Sequence, residues 1–449
     1  MTAARKFAEF IVSAAVPEKA LIVARNAFLD TTGVALAGSA EPGSRIVQEL
    51  ATSEAAGPCQ ILGTSLKTGP TWAALANGAA AHALDFDDMC FVSLAHPSAP
   101  LVAAALALGD KLGAAGHTLL EAYVVSFEIE AILGRAMNPR HYQQGWHCTS
   151  TLGTLGAAAT AARILKLDAE RSTHCLAIAA SKASGLKENF GTMTKPLHVG
   201  MAARNGVVAA LLAQKGFTAN DGALDGPQGF LHAMASEKSD LKPLCQDLGQ
   251  RWEILETGIT VKLYPSCAAT HPALDTVIDL RQEHSLTADQ IEAVDVQVDS
   301  VTPPLLPYER PQTGLEGKFS MNFCMAAALV YGEVTLETFQ ASQIQNASIQ
   351  NLLPRITMRV YPDLGKQAPA LTQATVTIRL RGGRVLTREA NGARGYPNRP
   401  ATREELEKKF LSCGLRVLTQ KRLRAALACL HKLETLPETR QLTELLASD

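Results

Sequence analysis

The stretch TWAALANGAAAHALDFDDMCFVSLAHPSAPLVAAALALGDKLGAAG (71–116) sets the architecture that we predict for this chain. Its two ends, 71–82 and 101–116, consist mostly of alanine, leucine and valine, which favour helices that are apolar almost all round. We therefore expect two buried helices. The segment between them, 83–100, interrupts this pattern with acidic groups, one imidazole and two prolines: Asp85, Asp87, Asp88, His96, Pro97 and Pro100.

The composition points to a large core of small aliphatic side chains. Hydrophobic residues make up 47% of the 449 residues, but aromatic residues only 5%. A chain of this length is long enough for more than one domain. Small side chains favour helix-on-helix packing, so we expect a mainly α fold.

The charge balance excludes several classes of partner. The 42 basic and 43 acidic residues nearly cancel, and no basic run of five or more residues occurs. Nucleic acid and an anionic membrane surface are therefore not expected as partners. The first twenty residues lack the basic and apolar regions of a secretion signal, and we judge no segment apolar enough to span a bilayer. We expect a cytoplasmic protein.

The nine cysteines occur singly, with no C-x-x-C pair. Zinc sites and ordinary iron–sulfur clusters therefore have no local support in the sequence. Isolated cysteines in apolar helices of a reducing compartment are typical packing residues.

The hydrophobic period changes along the chain. Residues 1–260 have helical periodicity, whereas alternating patterns typical of strands occur at 294–302, 356–362 and 374–390. The last of these contains Gly382-Gly383, a hairpin signal. Helical periodicity returns near 399. We predict three segments: a helical domain (1–260), a smaller α+β lid domain (261–398) and C-terminal helices that return to the first domain (399–449).

Four stretches place a lysine or histidine beside a predicted helix start: 83–100, 142–167, 189–216 and 259–280. In the third, Thr194 is the expected cap and Pro196 lies in the first turn. A helix N-terminus disfavours an ammonium, so Lys195 would be helped toward the neutral amine that acts as a base. The free N–H groups there would also bind a carboxylate. The alternative for Lys195 is a solvated surface lysine.

Structural alternatives exist for the other candidates as well. His147 could be a helix-flanking histidine bonded to backbone, Lys262 a strand lysine that points to water, and His271 a neighbour of a helix cap. The GTLG segment (153–156) lacks the strand and the G-K-[ST] ending of a phosphate loop, so close helix packing explains it better.

If the four stretches converge, they form a pocket for a small polycarboxylate. An aspartate would orient a base, histidine and lysine would move protons, and cations would bind carboxylates. The chemistry would be proton removal next to a carboxylate, because no motif for a hydride or phosphoryl carrier is present.

Five ordered motifs resemble the signatures of the MmgE/PrpD family, and the similarity covers about 5–445. They are HALDFDDMCFVSLAHPSAP, GWHCTSTLGTLGAAATAARIL, TKPLHVGMAARNGVVAALLA, KLYPSCAATHPALD and GKFSMNFCMAAALV. The family includes 2-methylcitrate dehydratase, cis-aconitate decarboxylase and iminodisuccinate epimerase. The resemblance implies a helical domain built from both termini, an α+β lid, a homodimer, and neither metal nor organic cofactor.

The resemblance also implies site residues. The catalytic positions of the decarboxylase branch fall on Asp85, His96, His147 and Lys195, and substrate-binding positions on Lys262, His198 and Lys318. Two further binding positions depart from the animal aconitate decarboxylases: Met89 replaces a threonine and Cys267 replaces a histidine. On this reading Asp87 and Asp88 cap the following turn or bond its backbone.

Three functions remain open at this point. The first is a lyase in which Lys195 or His147 removes the proton alpha to a carboxylate and His96 helps the β-hydroxyl leave. The second is an isomerase or epimerase that uses the same pocket without losing a group. The third is a catalytically inactive homologue that serves as a binding or structural dimer.

Overall fold

Helices dominate the structure, a computed structural model that describes residues 1–235, 239–364 and 372–448. A mainly α fold with a small sheet is therefore confirmed. The chain divides into two compact units. Unit 1 comprises Met1–Ile259 and Arg403–Asp449, and unit 2 comprises Thr260–Thr402.

Unit 1 consists of helices and one very small sheet. Its helices are α1 (Ala3–Ser13), α2 (Glu18–Ser39), α3 (Pro42–Glu54), α4 (Pro70–His82), α5 (Ser98–Leu112), α6 (Gly116–Met137), α7 (Arg140–Gln143), α8 (Cys148–Ile164), α9 (Ala169–Lys182), α10 (Thr194–Gln214), α11 (Phe230–Met234), α12 (Glu253–Glu256), α19 (Arg403–Gly414), α20 (Gln420–Leu430) and α21 (Arg440–Leu445). Strands β1 (Cys59–Gln60) and β2 (Lys67–Thr68) pair antiparallel, which corrects the prediction that this part is all-helical.

Helix α5 lies in the core of unit 1, as its apolar sequence predicts. Every residue from Ser98 to Asp110 is buried, and α4, α6, α8 and α10 pack against this helix. Two glycines of α8 permit the close approach: a methyl group at Gly153 would lie 2.7 Å from Pro100, and one at Gly156 would lie 2.7 Å from Leu101. The GTLG segment thus serves helix packing, as expected.

Helices α4 and α10 also cross at glycines. A Cβ at Gly200 would lie 2.3 Å from the carbonyl oxygen of Leu75, and one at Gly78 would lie 3.0 Å from the Cα of Gly200. Only residues without a side chain allow two backbones this close. The crossing fixes the C-terminal end of α4 relative to α10.

Helix α2 is long and apolar enough to cross a membrane by length and composition, which corrects the expectation that no segment is. Of its most apolar window, 72% is buried inside the protein. The helix also carries Asp30, which pairs with Lys409 of α19 at 2.6 Å. Burial on this scale is typical of a core helix. The Asp30–Lys409 ion pair shows that α19 packs directly against α2.

Unit 2 contains a four-stranded sheet and short helices. Its helices are α13 (His271–Glu283), α14 (Thr302–Leu305), α15 (Gly314–Lys318), α16 (Met321–Tyr331), α17 (Ala341–Ile344) and α18 (Ala347–Leu352); its strands are β3 (Ile291–Val298), β4 (Ile356–Val360), β5 (Gln373–Leu380) and β6 (Val385–Asn391). Short 3₁₀ turns connect elements in both units.

The sheet has the order β4-β3-β5-β6, with β3 and β4 parallel and the other neighbours antiparallel. Val294, Val296 and Val298 alternate toward a core shared with α13 and α16. The predicted hairpin joins β5 to β6, and both Gly382 and Gly383 have positive φ angles, of 103° and 89°. The Gly-Gly signal is therefore confirmed.

Candidate active site

The segment between α4 and α5 is held in an unusual backbone conformation. Asp85 and Leu94 have positive φ angles of 53° and 50°, a region that residues other than glycine rarely adopt. Cys90 and Ala95 form an isolated antiparallel bridge that closes the segment on itself. Strained backbone of this kind is concentrated at functional sites. Here it turns acidic and imidazole side chains inward from the break between two core helices.

Asp88 caps α5, as the sequence predicts. Its carboxyl accepts a hydrogen bond from the backbone N–H of Ser98 at 3.2 Å and makes a short one with the Ser98 hydroxyl, which also contacts the Tyr123 hydroxyl at 2.6 Å. Burial, with the nearby Asp30, raises the pKa of Asp88 to about 8. This aspartate is therefore a neutral structural acid at physiological pH.

Asp87 contacts two histidines, so the prediction that it caps the following turn is wrong. Its carboxylate lies 2.7 Å from Nδ1 of His82 and 3.4 Å from Nδ1 of His96. Burial alone would raise the pKa of Asp87, but the charge and hydrogen bonds of the two imidazoles outweigh it and hold that pKa well below its usual range. Asp87 is thus a fully buried carboxylate between two rings.

Lys195 is brought to Asp85, 110 residues away in sequence. Its Nζ lies 2.5 Å from Oδ1 of Asp85, and both side chains are largely buried, which rules out a solvated surface lysine. Helix α10 begins at Thr194, so this residue is not the cap that we predicted. The side chain is therefore engaged in a buried ion pair, whereas the sequence led us to expect a free amine at a helix end.

His147 and His198 lie together beside this ion pair. His147 is the N-cap residue of α8, and its Nδ1 lies 3.2 Å from Nδ1 of His198 in α10. Phe190 packs against His147 and Lys195: its ring centroid is 4.9 Å from the centroid of the His147 ring and 5.3 Å from Nζ of Lys195. The Ser150 hydroxyl donates to the carbonyl of His198 and so fixes α8 against α10.

Four imidazoles therefore form one cluster in unit 1. The ring of His82 lies 4.7 Å from that of His96 and 5.6 Å from that of His147. Burial lowers the pKa of His82 to about 4 and lowers those of His147 and His198. Neighbouring cationic groups, Lys195 among them, add to the effect at His82 and His147. Neutral imidazoles beside an ammonium can accept protons and bind an anion.

The donor set His82, Asp87 and His96 also has the composition of a transition-metal site, since its ligand atoms lie within 4.8 Å of one another. The 2.7 Å separation of His82 Nδ1 and Asp87 is that of a hydrogen bond. The nearby Lys195 ammonium also disfavours a second cation. The arrangement fits a hydrogen-bonded carboxylate better than a metal centre.

The remaining predicted positions have mixed surroundings. Met89 is half-buried in the segment between α4 and α5. In unit 2, Lys262 is only 2% exposed, so the alternative that it points to water is wrong. Lys318 is also buried, and its carbonyl accepts a hydrogen bond from the backbone N–H of Cys267 at 2.9 Å. Lys318 and Cys267 are therefore neighbours in the fold of unit 2.

Two residues of the site were not predicted: His82, a member of the cluster, and Phe190, which packs against it. His82 ends an alanine-rich helix and resembles an ordinary basic residue of a last turn. The signal that could have identified it is its position immediately before the acidic segment, five residues ahead of Asp87. Phe190 lies in a short polar stretch, where a single aromatic residue carries no pattern.

Comparison with known proteins gives two family matches. The MmgE/PrpD N-terminal domain matches residues 5–242, and the MmgE/PrpD C-terminal domain matches residues 264–432. Among individual proteins, the chain is 30% identical over 393 residues to a cis-aconitate decarboxylase of Mus musculus, covering 84% of this chain and 78% of that protein.

Two further relatives carry the same description. A cis-aconitate decarboxylase of Homo sapiens is 28% identical over 85% of this chain and 80% of its own length. A cis-aconitate decarboxylase of Aspergillus terreus is 25% identical over 96% of this chain and 92% of its own length.

Proposed function

This chain belongs to the MmgE/PrpD family, and from that premise we propose that it is a cofactor-independent lyase that acts on a small di- or tricarboxylate. The observation that carries the proposal is the convergence of four imidazoles and the Lys195–Asp85 ion pair at the ends of core helices. Such a set supplies a base, an acid and a cation within one cluster.

His147 is the base in this proposal. Its ring is buried and its pKa lies well below the usual range, so the neutral form dominates at physiological pH. A neutral imidazole can accept the proton alpha to a substrate carboxylate. Lys195 is the weaker candidate, because its Nζ is engaged by the carboxylate of Asp85.

Lys195 acts as the cation. Its ammonium lies at the N-terminal end of α10, where backbone N–H groups also attract anions. It would bind a substrate carboxylate and offset the negative charge that develops when the α-proton leaves. Asp85 fixes the position of the ammonium.

His96 acts as the acid. When His147 takes the α-proton, the electron pair forms the new double bond, the bond to the β-oxygen breaks, and a proton from His96 converts the leaving group into water. In a decarboxylation, the carboxylate leaves as carbon dioxide and the acid protonates carbon instead.

The test is incubation with a panel of di- and tricarboxylates in deuterated water. We expect loss of water or carbon dioxide from at least one acid, measured by mass spectrometry and NMR. Exchange of the α-hydrogen without loss of either group would instead indicate an isomerase or epimerase. No reaction and no exchange with any acid would favour a binding homologue.

Two variants test the roles. Lys195→Met should lower kcat/KM by about 10- to 150-fold, which is the range for a lost charged hydrogen bond. His117→Gln is the surface control. The side chain of this histidine is 52% exposed on α6, and its ion-pair partner is Glu121 of the same helix. Full turnover by Lys195→Met would contradict the assignment.

A further inference from the structure

We propose that Asp87 and His82 are positioning residues for His96: the Asp87 carboxylate holds the Nδ1–H of His96, so that Nε2 of this ring faces the substrate. The inference rests on the proposed function, because it serves the acid role of His96. Neither residue is among the positions that the sequence assigned to catalysis.

The first argument is the position of the carboxylate. Asp87 and His82 have fully buried side chains, whereas the His96 side chain is 12% exposed. Of the three groups, only His96 therefore reaches solvent. Its backbone N–H also donates to the Thr149 hydroxyl at 3.1 Å, which ties the residue to α8. The carboxylate is thus fully buried against a ring that is anchored at its backbone and is itself partly exposed.

The second argument is the orientation of the two rings. Both present Nδ1 to Asp87, at 2.7 Å for His82 and 3.4 Å for His96. An ionised carboxylate only accepts hydrogen bonds, so the Nδ1 of His82, which is bonded to it, carries the proton, and in our proposal the Nδ1 of His96 does as well. The neutral His96 then has an unprotonated Nε2, and the protonated ring has a transferable proton there.

The third argument is the role of His82. A buried carboxylate needs a donor on each side, and His82 supplies the donor for the oxygen that His96 does not face. Its own Nε2 has no hydrogen-bond partner among the described residues. His82 therefore acts on Asp87 and has no other polar contact that would explain a buried imidazole in an alanine-rich helix.

The fourth argument is that the contact between Asp87 and His96 is long. Oδ1 of Asp87 and Nδ1 of His96 face each other at 3.4 Å, and neither makes a well-formed hydrogen bond with the described residues. Catalytic hydrogen bonds are often long in the resting state and tighten when the substrate binds. A reorientation of the His96 ring when the substrate binds would form this bond.

The arrangement resembles the histidine–aspartate part of hydrolase triads, where a buried carboxylate selects the tautomer and stabilises the imidazolium. In this chain a second histidine holds the carboxylate. The titratable groups of the same cluster are His82 on α4, His147 on α8, and Lys195 and His198 on α10. His147, Lys195 and His198 make other contacts than the one with Asp87: Lys195 pairs with Asp85, and His147 lies against His198.

The direct test is nitrogen NMR of the resting protein labelled with ¹⁵N-histidine, with the His96 signals identified by their loss in His96→Gln. We expect a protonated Nδ1 on His96 in the wild type and a switch toward the Nε2–H tautomer in Asp87→Asn. An unchanged His96 tautomer in Asp87→Asn would overturn the proposal.

Kinetics supply the second readout. Asp87→Asn should lower kcat by about 10²- to 10⁴-fold with little change in KM, because the amide leaves the shape intact but favours the wrong tautomer. His82→Leu should show a smaller loss of kcat, and His82→Asn should recover most of it, because its amide nitrogen can replace Nδ1–H. Equal activity of His82→Leu and His82→Asn would contradict the role of His82.

The design separates this inference from the proposed function. The NMR experiment needs no substrate, so a lack of turnover with every acid would refute the lyase and leave the tautomer test valid. Turnover of an acid together with an unchanged His96 tautomer in Asp87→Asn would support the lyase and refute the positioning role of Asp87. If Asp87→Asn does not fold, the His82→Leu and His82→Asn pair still decides the question. Stoichiometric Zn²⁺ binding that abolishes the His96 signal change, and activity lost on dialysis against EDTA, would assign the three residues to a metal instead.

Discussion

His147 combines a helix-capping position with a perturbed imidazole, and this combination sets a pH dependence. Its pKa lies well below the ordinary value of about 6.5 because of burial and neighbouring cations. A base works only when unprotonated, so we expect the acid limb of kcat/KM to lie below pH 6.5. His147→Gln should lose about 10²- to 10⁴-fold in kcat/KM. An acid limb in the alkaline range would point to Lys195 as the base.

Asp88 has the opposite kind of perturbation, which affects stability. Its pKa is raised to about 8 in the folded state, against about 3.9 when unfolded. Between these values the folded protein holds a proton that the unfolded chain releases. The contribution of Asp88 to stability is therefore complete below pH 4 and is lost as the pH rises toward 8, at up to about 1.4 kcal/mol per pH unit.

Asp88→Asn removes this titration and keeps both hydrogen-bonding functions toward Ser98. We expect the free energy of unfolding of the variant, relative to wild type, to increase between pH 5 and pH 8. Urea unfolding at the two pH values measures it. A difference that does not change with pH would show that Asp88 is ionised in the folded protein.

At the residue scale, the sequence predicted which side chains come close together better than it predicted how they pair. Asp85, His96, His147, Lys195 and His198 were candidates because each lies beside a break in an apolar pattern, and they do converge. The pairing of Asp85 with Lys195 spans 110 residues, and no local spacing encodes it. Asp87 was assigned to backbone bonds because the sequence pattern does not show that the last turn of α4 brings His82 against its carboxylate.

At the scale of helices, the crossing of α4 and α10 determines where His82 and the α10 end meet. Gly200→Ala would place a methyl group 2.3 Å from the carbonyl of Leu75. We expect a net loss of about 1–3 kcal/mol in the free energy of unfolding, together with reduced activity, because the helices must separate. Gly43→Ala is the control, since its methyl would meet only the flexible Met193 side chain at 3.3 Å. Equal stability of the two variants would contradict the argument.

Helix α19 supports the site through a single buried lysine. Lys409 pairs with Asp30 at 2.6 Å and donates to the carbonyl of Phe86 at 2.8 Å, between Asp85 and Asp87 in sequence. Lys409→Met would leave Asp30 buried without its cation, which costs about 3–5 kcal/mol. The double variant Asp30→Asn/Lys409→Met should regain much of that loss.

Urea unfolding measures both Lys409 variants, and kcat/KM reports on the segment that holds Asp85. We expect the double variant to stay impaired in activity, because Phe86 still lacks its donor. Full activity together with restored stability would show that Lys409 serves only the ion pair.

At the element scale, long patterns predicted well and short ones did not. The buried helix at α5 follows from its uniform apolar sequence, and the β5–β6 hairpin from Gly382-Gly383. The β1–β2 pair has two residues in each strand, too few for any period to be recognised. The start of α10 differs by one residue from the prediction because Thr194 makes no capping bond and is itself helical.

For the whole molecule, the proposed pocket predicts selective stabilisation by polyanions. A ligand present at about 100 times its Kd should raise the free energy of unfolding by about 2.7 kcal/mol. We therefore expect di- or tricarboxylates to raise the Tm and their neutral amides to have no effect. The Tm shift should be strongly reduced in Lys195→Met. No shift with any acid at about 10 mM, above the usual range of KM, would contradict a polycarboxylate site.

At this scale the sequence indicated a helical part and a part with strands, because the hydrophobic period changes from one to the other. It also indicated the family, through five ordered motifs, and the family matches confirm that. The choice of acid depends on the shape of the site, which a hydrophobic period and a set of ordered motifs do not encode.

Unit 1 is assembled from two stretches of chain separated by the whole of unit 2. During synthesis on the ribosome, at roughly 5–20 residues per second, Asp30 and the segment around Phe86 emerge well before Lys409. Until Lys409 leaves the exit tunnel, the Asp30 carboxyl has no ammonium to pair with and the carbonyl of Phe86 lacks its donor. Unit 2, being continuous, can complete its own core first. Maturation of the helical part therefore waits for the synthesis of α19.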